Sequence, residues 1–160
     1  MKRIIYITVL ILGFASCNPN KIVILDKGYI GMTPDEYRKI FVDSYDLPTS
    51  SSKINGKLNP DFTNGRLSSL AITVDDISDF DTAYNVYELG NDLSYKYGVP
   101  VENKETIWAG GISKYFKWKK GLLQVEYSYD YNQVQGTNGL LYTGKAKVVF
   151  NKEVSGNSEF

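Results

Sequence analysis

The chain contains no histidine and a single cysteine, Cys17, among its 160 residues. Without histidine, the common serine and cysteine catalytic triads and the usual zinc sites cannot be assembled. A lone cysteine also excludes a disulfide within the chain. Enzymes that use carboxylates, lysine or tyrosine are the classes that remain, so a hydrolase built on aspartates is the enzymatic alternative left open.

The sequence also lacks an excess of charge and a long apolar run. Lysine and arginine together number 18, as do aspartate and glutamate, whereas nucleic-acid binding requires a clustered basic face. The apolar stretch at residues 4–14 is shorter than the roughly 20 residues that a membrane-spanning helix needs. We therefore expect no nucleic-acid partner and no membrane-spanning segment there, and no residue pattern indicates a cofactor.

A charged start, Lys2-Arg3, and the apolar residues 4–14 are typical of an export signal. Small residues then lead directly to Cys17. This order resembles the lipobox of bacterial lipoproteins, in which the cysteine sulfur takes a diacylglyceryl group and the cysteine becomes the new N-terminus. The resemblance implies a lipoprotein signal peptide at residues 1–16 and lipidation at Cys17, with the membrane as a partner. An ordinary secretory signal with an incidental cysteine is the alternative.

After cleavage, the sequence predicts three further parts. Residues 17–30 form a lipidated tether whose apolar residues 22–25 are either an edge strand or a segment laid against the body. Residues 31–151 form a single α+β domain, and residues 152–160 form a frayed tail.

Two helices are predicted. Thr33 and Glu36 have the spacing of a capping box and Pro34 suits the first helical position; apolar residues then recur at helical steps, so the first helix should run from Pro34 to near Asp46. The members of this stripe are Tyr37, Ile40, Phe41 and Tyr45. A second helix begins around residues 78–81 and ends at about Tyr97, before the natural C-cap Gly98, with a bend or fraying expected at an internal glycine, Gly90.

Outside these two helices, the sequence predicts antiparallel strands. Asn64-Gly65 predicts a two-residue hairpin turn between strands at residues 57–63 and 66–74, after a polar loop at residues 49–55. A meander follows, with strands at 106–108, 112–118, 123–129 and 140–150 and a looser turn at 132–139. The predicted fold is α+β: an antiparallel sheet, made of a hairpin and a C-terminal meander, with two helices on one face.

Four aspartates are concentrated between a strand and the second helix: Asp75, Asp76, Asp79 and Asp81. Carboxylate oxygens suit calcium, but the spacing does not fit an EF-hand loop. The alternative is that one aspartate caps the helix and the others lie near its positive end.

Aromatic residues form an alternating row, with Trp118 across a turn from Tyr127, Tyr129 and Tyr131. Exposed, this row would be a binding face that stacks on sugar rings or a partner peptide; buried, it would be the core beneath the helices. Polar residues at the alternate positions favour burial. Two of them, Glu126 and Asp130, lie about 13 Å apart along a strand, too far for a glycosidase pair.

The stretch "GMTPDEY" at residues 31–37 resembles the G-M-T-x-x-E opening of small outer-membrane lipoproteins of the SmpA/OmlA type, which assist assembly of β-barrel proteins. The resemblance implies a lipid-anchored protein with helices on one face of a small sheet. The stretches "LSYKYGVP" and "KWKKGLLQVEYSY" are also similar to aromatic-rich lipoproteins of the Bacteroidetes.

These observations predict a non-enzymatic binding or scaffold lipoprotein, anchored in the outer membrane and facing the periplasm, with a protein partner in the cell envelope. Surface display is disfavoured because residues 18–21 lack an acidic run. The alternative is a carbohydrate-binding or immunity-type lipoprotein that uses an exposed aromatic face.

Overall fold

The structure is a computed structural model that describes residues 21–137 and 139–153. The predicted signal peptide and Cys17 lie outside these residues. The elements in chain order are β1 (Ile22–Ile24), β2 (Gly28–Ile30), α1 (Pro34–Ile40), β3 (Ser44–Pro48), β4 (Lys53–Thr63), β5 (Arg66–Val74), α2 (Phe80–Tyr97), β6 (Glu102–Trp108), β7 (Gly111–Lys120), β8 (Leu123–Gly136) and β9 (Gly139–Lys152).

A seven-stranded antiparallel sheet in the order β3-β4-β5-β9-β8-β7-β6 forms the body, and β1 and β2 make a separate two-stranded sheet. Both helices bury their apolar sides on the same face of the large sheet, so the α+β prediction is confirmed. Laterally paired residues cross this buried face from strand to strand: Leu58, Ile72, Val148, Tyr127 and Phe116.

The first helix is shorter than predicted. Its capping box is present, since the Thr33 N–H donates to the Glu36 carboxylate at 2.7 Å and the Glu36 N–H donates to Thr33 Oγ1 at 3.3 Å. The helix ends at Ile40, however, and Tyr45 lies in β3, opposite Gly56 of β4. The last three residues of the predicted polar loop, 53–55, begin this partner strand, and residues 49–52 form the turn between β3 and β4. Pairing between the two segments satisfies their backbone groups, which the local apolar spacing could not reveal.

The second helix matches its prediction. Asp79 caps it by accepting from the Thr82 N–H at 2.7 Å, and Gly98 ends it at a φ of 90°. The predicted weak point at Gly90 has another role, because the helix continues through it and Gly90 is buried against β7. A Cβ there would lie 3.2 Å from a ring carbon of Phe116. Glycine therefore lets the helix approach the sheet closely.

The C-terminal strands are longer than the sequence predicted. Most of residues 132–139, where a loose turn was expected, are paired strand residues instead. Strands β8 and β9 stay paired from Leu123 opposite Lys152 to Gly136 opposite Gly139. Lys152, placed in the predicted tail, still belongs to β9. The apolar residues 22–24 form β1, which pairs with β2 in a hairpin laid against the body, where the Gly31 N–H donates to the Leu67 carbonyl at 2.8 Å.

The alternating aromatic row is core. Trp118, Tyr127 and Tyr129 are at most 2% exposed, and Tyr131 is partly buried against the same cluster. The Tyr127 hydroxyl donates to the Val86 carbonyl of α2 at 2.5 Å. The Tyr129 hydroxyl is buried and has no partner within the described residues. This row is therefore not available as a binding face.

Stability should respond differently to loss of the hydroxyl at Tyr127 and at Tyr129. Tyr127→Phe removes a buried hydrogen bond and should lower the free energy of unfolding by about 1 kcal/mol. Tyr129→Phe removes a buried, unsatisfied polar group and should leave stability unchanged or raise it by up to about 1 kcal/mol. Urea denaturation of both variants measures the difference, and equal destabilisation by the two would contradict this assignment.

Candidate ligand-binding cleft

A cleft of about 330 Å³ lies between the second half of α2, the end of β3 and the turn that joins β1 to β2. This volume is at the lower end of the range for small-molecule sites. Apolar side chains dominate its lining, and they come from four parts of the fold: Leu25, Leu47, Leu89, Leu93 and Phe150.

A strained turn forms one wall. Leu25 and Asp26 have φ of 49° and 62°, in the left-handed region that L-residues avoid. The cost is about 1–2 kcal/mol per residue. Burial of the Leu25 side chain, which is 6% exposed, offsets it by a similar amount. The turn directs the Asp26 carboxylate to α2, where it lies 2.9 Å from the Lys96 ammonium.

Side-chain hydrogen bonds fix the opposite wall to the same helix. The Ser50 N–H donates to the Asp92 carboxylate at 2.8 Å, and the Ser50 hydroxyl bonds to it as well. The Thr49 hydroxyl donates to the Asn85 side-chain oxygen at 2.8 Å. Because both walls are tied to α2, the cleft is formed before any ligand arrives.

Three tyrosines line the cleft, and two of them, Tyr45 and Tyr97, are partly buried, whereas Tyr95 is 96% exposed. The hydroxyls of Tyr45 and Tyr97 have no hydrogen-bond partner in the part of the chain that the structure describes. Burial, followed by the negative charge of Asp26 and the neighbouring Tyr45, raises the pKa of Tyr97 to about 12. Burial and Asp26 likewise raise the pKa of Tyr45. Both phenols therefore stay neutral at physiological pH and can donate a hydrogen bond.

These properties define the chemistry that the cleft can accept. The charges of Asp26 and Lys96 compensate each other, whereas the Asp92 carboxylate stays charged and accepts the bonds from Ser50 at the edge of the cleft. The rest of the lining is mainly apolar surface with neutral hydroxyls, a combination that suits an uncharged molecule with an apolar body and one or two hydrogen-bonding groups.

The aspartates singled out in the sequence do not meet in this cleft. Asp79 is the cap of α2, and the backbone and hydroxyl bonds from Thr82 lower the pKa of Asp79. Asp75 and Asp76 precede the helix and Asp81 lies in its first turn. Within residues 21–137 and 139–153, no three Asp, Glu, Cys or His side chains are grouped so that they could hold a metal ion.

Comparison of the chain with models of protein families, with curated proteins and with solved structures finds no match. Across the described residues, no helix is long and apolar enough to cross a membrane. The assignment of function therefore depends on the residues and their geometry.

Sequence reasoning did not find the cleft. Its lining comes from segments as far apart as Leu25 and Phe150, and the β3 strand that carries Tyr45 was predicted as helix. The polar residues of the β3–β4 turn gave the only local signal, and that signal indicates a turn rather than a wall.

Blocking the mouth of the cleft tests whether it binds small apolar molecules. Ser50→Trp places a large ring in the opening and should weaken binding of the neutral probe N-phenyl-1-naphthylamine at least about tenfold, measured by probe fluorescence. Ser50→Ala separates this effect from loss of the hydroxyl, and Ser51→Trp puts the same ring on the adjacent exposed residue outside the lining. Equal affinity in Ser50→Trp and Ser51→Trp would count against the cleft.

The raised pKa of Tyr97 predicts a loss of stability in alkali. An unfolded tyrosine ionises near pH 10, whereas Tyr97 in the folded protein holds its proton to about 12. Its contribution is therefore complete below about pH 10 and is lost as the pH rises through this window. Urea denaturation from about pH 9 to pH 11.5 should show wild type losing more stability than Tyr97→Phe. Parallel curves for the two proteins would refute the shift.

Proposed function

We propose that this chain is a non-enzymatic, lipid-anchored binding protein of the bacterial cell envelope. Cys17 attaches it to the outer membrane, the domain faces the periplasm, and the cleft beside α2 binds an uncharged amphipathic ligand. The observation that carries the binding role is the preformed apolar cleft with two free tyrosine hydroxyls. Scaffolding of a protein partner in the envelope is part of the same proposal.

The length of chain between anchor and body supports this arrangement. Strand β1 begins at Ile22 and is paired with β2 at Ile30. Cys17 precedes Ile22 by five residues in the sequence, and such a segment spans at most about 18 Å even when fully extended. A lipid on Cys17 would therefore hold the body directly beside the membrane surface.

The strength of attachment follows from the number of acyl chains. Each buried methylene contributes about 0.8 kcal/mol, and one chain alone binds a membrane reversibly. A lipoprotein cysteine carries two or three chains, so we propose a permanent anchor. Ligand or partner binding, rather than membrane release, would then be the regulated step.

Lipidation is tested by metabolic labelling with an alkyne analogue of palmitate in a bacterial host that processes lipoproteins. Wild type should be labelled and recovered with membranes, and Cys17→Ser should lose the label and leave the membrane fraction. Ser16→Ala keeps a small residue before the cysteine and should behave as wild type. Label that persists in Cys17→Ser would disprove lipidation at Cys17. Ligand binding in the cleft is tested separately by the probe-binding experiment.

A further inference from the structure

Trp108 lies on the open face of the large sheet, opposite the helices. Strand pairing aligns Trp108 with Gly111, Gly111 with Asn132, and Asn132 with Thr143. The alternate residues of β8, such as Tyr129, point to the buried face. Of the two tryptophans, Trp118 is fully buried, so the exposed one was not in the row that the sequence singled out.

The position of the Trp108 indole is fixed by two contacts. A Cβ on Gly111 would lie 2.4 Å from ring atoms of Trp108, so the indole covers this glycine. The indole N–H donates to the side-chain oxygen of Asn132 at 2.8 Å. Trp108 is nevertheless 40% exposed. The indole ring is therefore fixed in position, and its only polar group, the N–H, already has a hydrogen-bond acceptor. We call this ring the tryptophan platform.

The residues around this platform are polar, and their charges sum to zero. Thr143 lies in the same lateral row as Trp108. The side-chain oxygen of Asn132 accepts the indole N–H, so the side-chain NH2 group of Asn132 remains available as a donor. The next row carries Thr106, Ser113, Asp130 and Lys145. Asp130 and Lys145 lie directly opposite each other, so their charges balance.

A pyranose ring matches this surface. The negative π-face of an indole attracts the polarised C–H groups on one face of the sugar. Hydroxyls at the sugar's edge match amide, hydroxyl and carboxylate groups of the kind that flank Trp108. We propose that Trp108 and its strand neighbours form a binding site for a neutral oligosaccharide, separate from the cleft and independent of the lipid anchor.

A protein partner is the competing occupant, since Val134 and Leu141 on the same face are 58% and 59% exposed. The polar rows and the satisfied indole N–H favour the sugar, because an interface core for protein is depleted of charged residues. Asp130 and Lys145 lie one row from the ring, within reach of a bound sugar chain.

The experiment is a titration of intrinsic fluorescence with cellohexaose and with chitohexaose. Trp118 is shielded, so a change in emission reports on Trp108. Trp108→Ala should weaken binding of the oligosaccharide at least about tenfold by calorimetry. Gly111→Ala should also weaken binding, because the added methyl group displaces the indole of Trp108 although the tryptophan itself is still present. Tyr84→Ala removes an aromatic side chain that is 45% exposed on α2, outside the cleft lining, and should leave affinity unchanged.

Three results would overturn the proposal. They are no binding of either hexasaccharide at millimolar concentration, unchanged affinity in Trp108→Ala, and an equal loss of affinity in Tyr84→Ala. Circular dichroism of each variant confirms that the fold is retained. Capture of a protein partner that depends on Trp108, with no binding of either sugar, would assign the face to protein instead.

Discussion

The contact between α2 and the buried face of the sheet is the interaction on which the rest of the structure depends. Gly90 brings the helix against Phe116 and Tyr127, and the Tyr127 hydroxyl bonds to the helix backbone. Phe116 stacks between Trp118 and Tyr127 with centroid distances of 5.5 and 6.2 Å. A larger residue at position 90 would force apart aromatic groups that are already in contact, and close-packed cores resist such a change.

The cleft depends on the same helix. One wall is tied to α2 through Asp26 and Lys96, and the other through Ser50 and Asp92. These surface bonds contribute little stability individually. Their role is to position the walls, and they can do so because the helix they bond to is fixed by its buried side. A shift of α2 would therefore change the cleft even though no lining residue had changed.

Local physics explains which elements could be predicted. The capping box at Thr33 and Glu36, the Asn64-Gly65 turn and the cap at Asp79 are each formed by residues within a few positions of one another. Their geometry is set by short-range hydrogen bonds and by the tolerance of Asn and Gly for positive φ. The pairing of β3 with β4 is also short in sequence, but Tyr45 fits an apolar helix stripe as well as a half-buried strand, and only the partner strand decides between them.

The cleft and the tryptophan platform could not be predicted because each joins segments that are distant in sequence. Trp108 and Asn132 are 24 positions apart, and only strand order makes them neighbours. Alternation along a strand separates two faces, but it does not say which face a helix will cover. For the row of Trp118, Tyr127 and Tyr129, the polar residues at the alternate positions favoured burial, and the row lies in the core.

By itself, the sequence determined both helix starts with their caps, the second helix and the Asn64-Gly65 turn, and it excluded histidine chemistry and an internal disulfide, since these depend on composition and on neighbouring residues. It also showed that the single cysteine directly follows a segment typical of an export signal. Tertiary structure alone decided which aromatic residues are core and which are surface, and it brought Leu25, Tyr45, Leu93 and Phe150 around one cleft. The reason is physical: burial and cavity shape are properties of surfaces brought together by packing, and no local pattern carries that information.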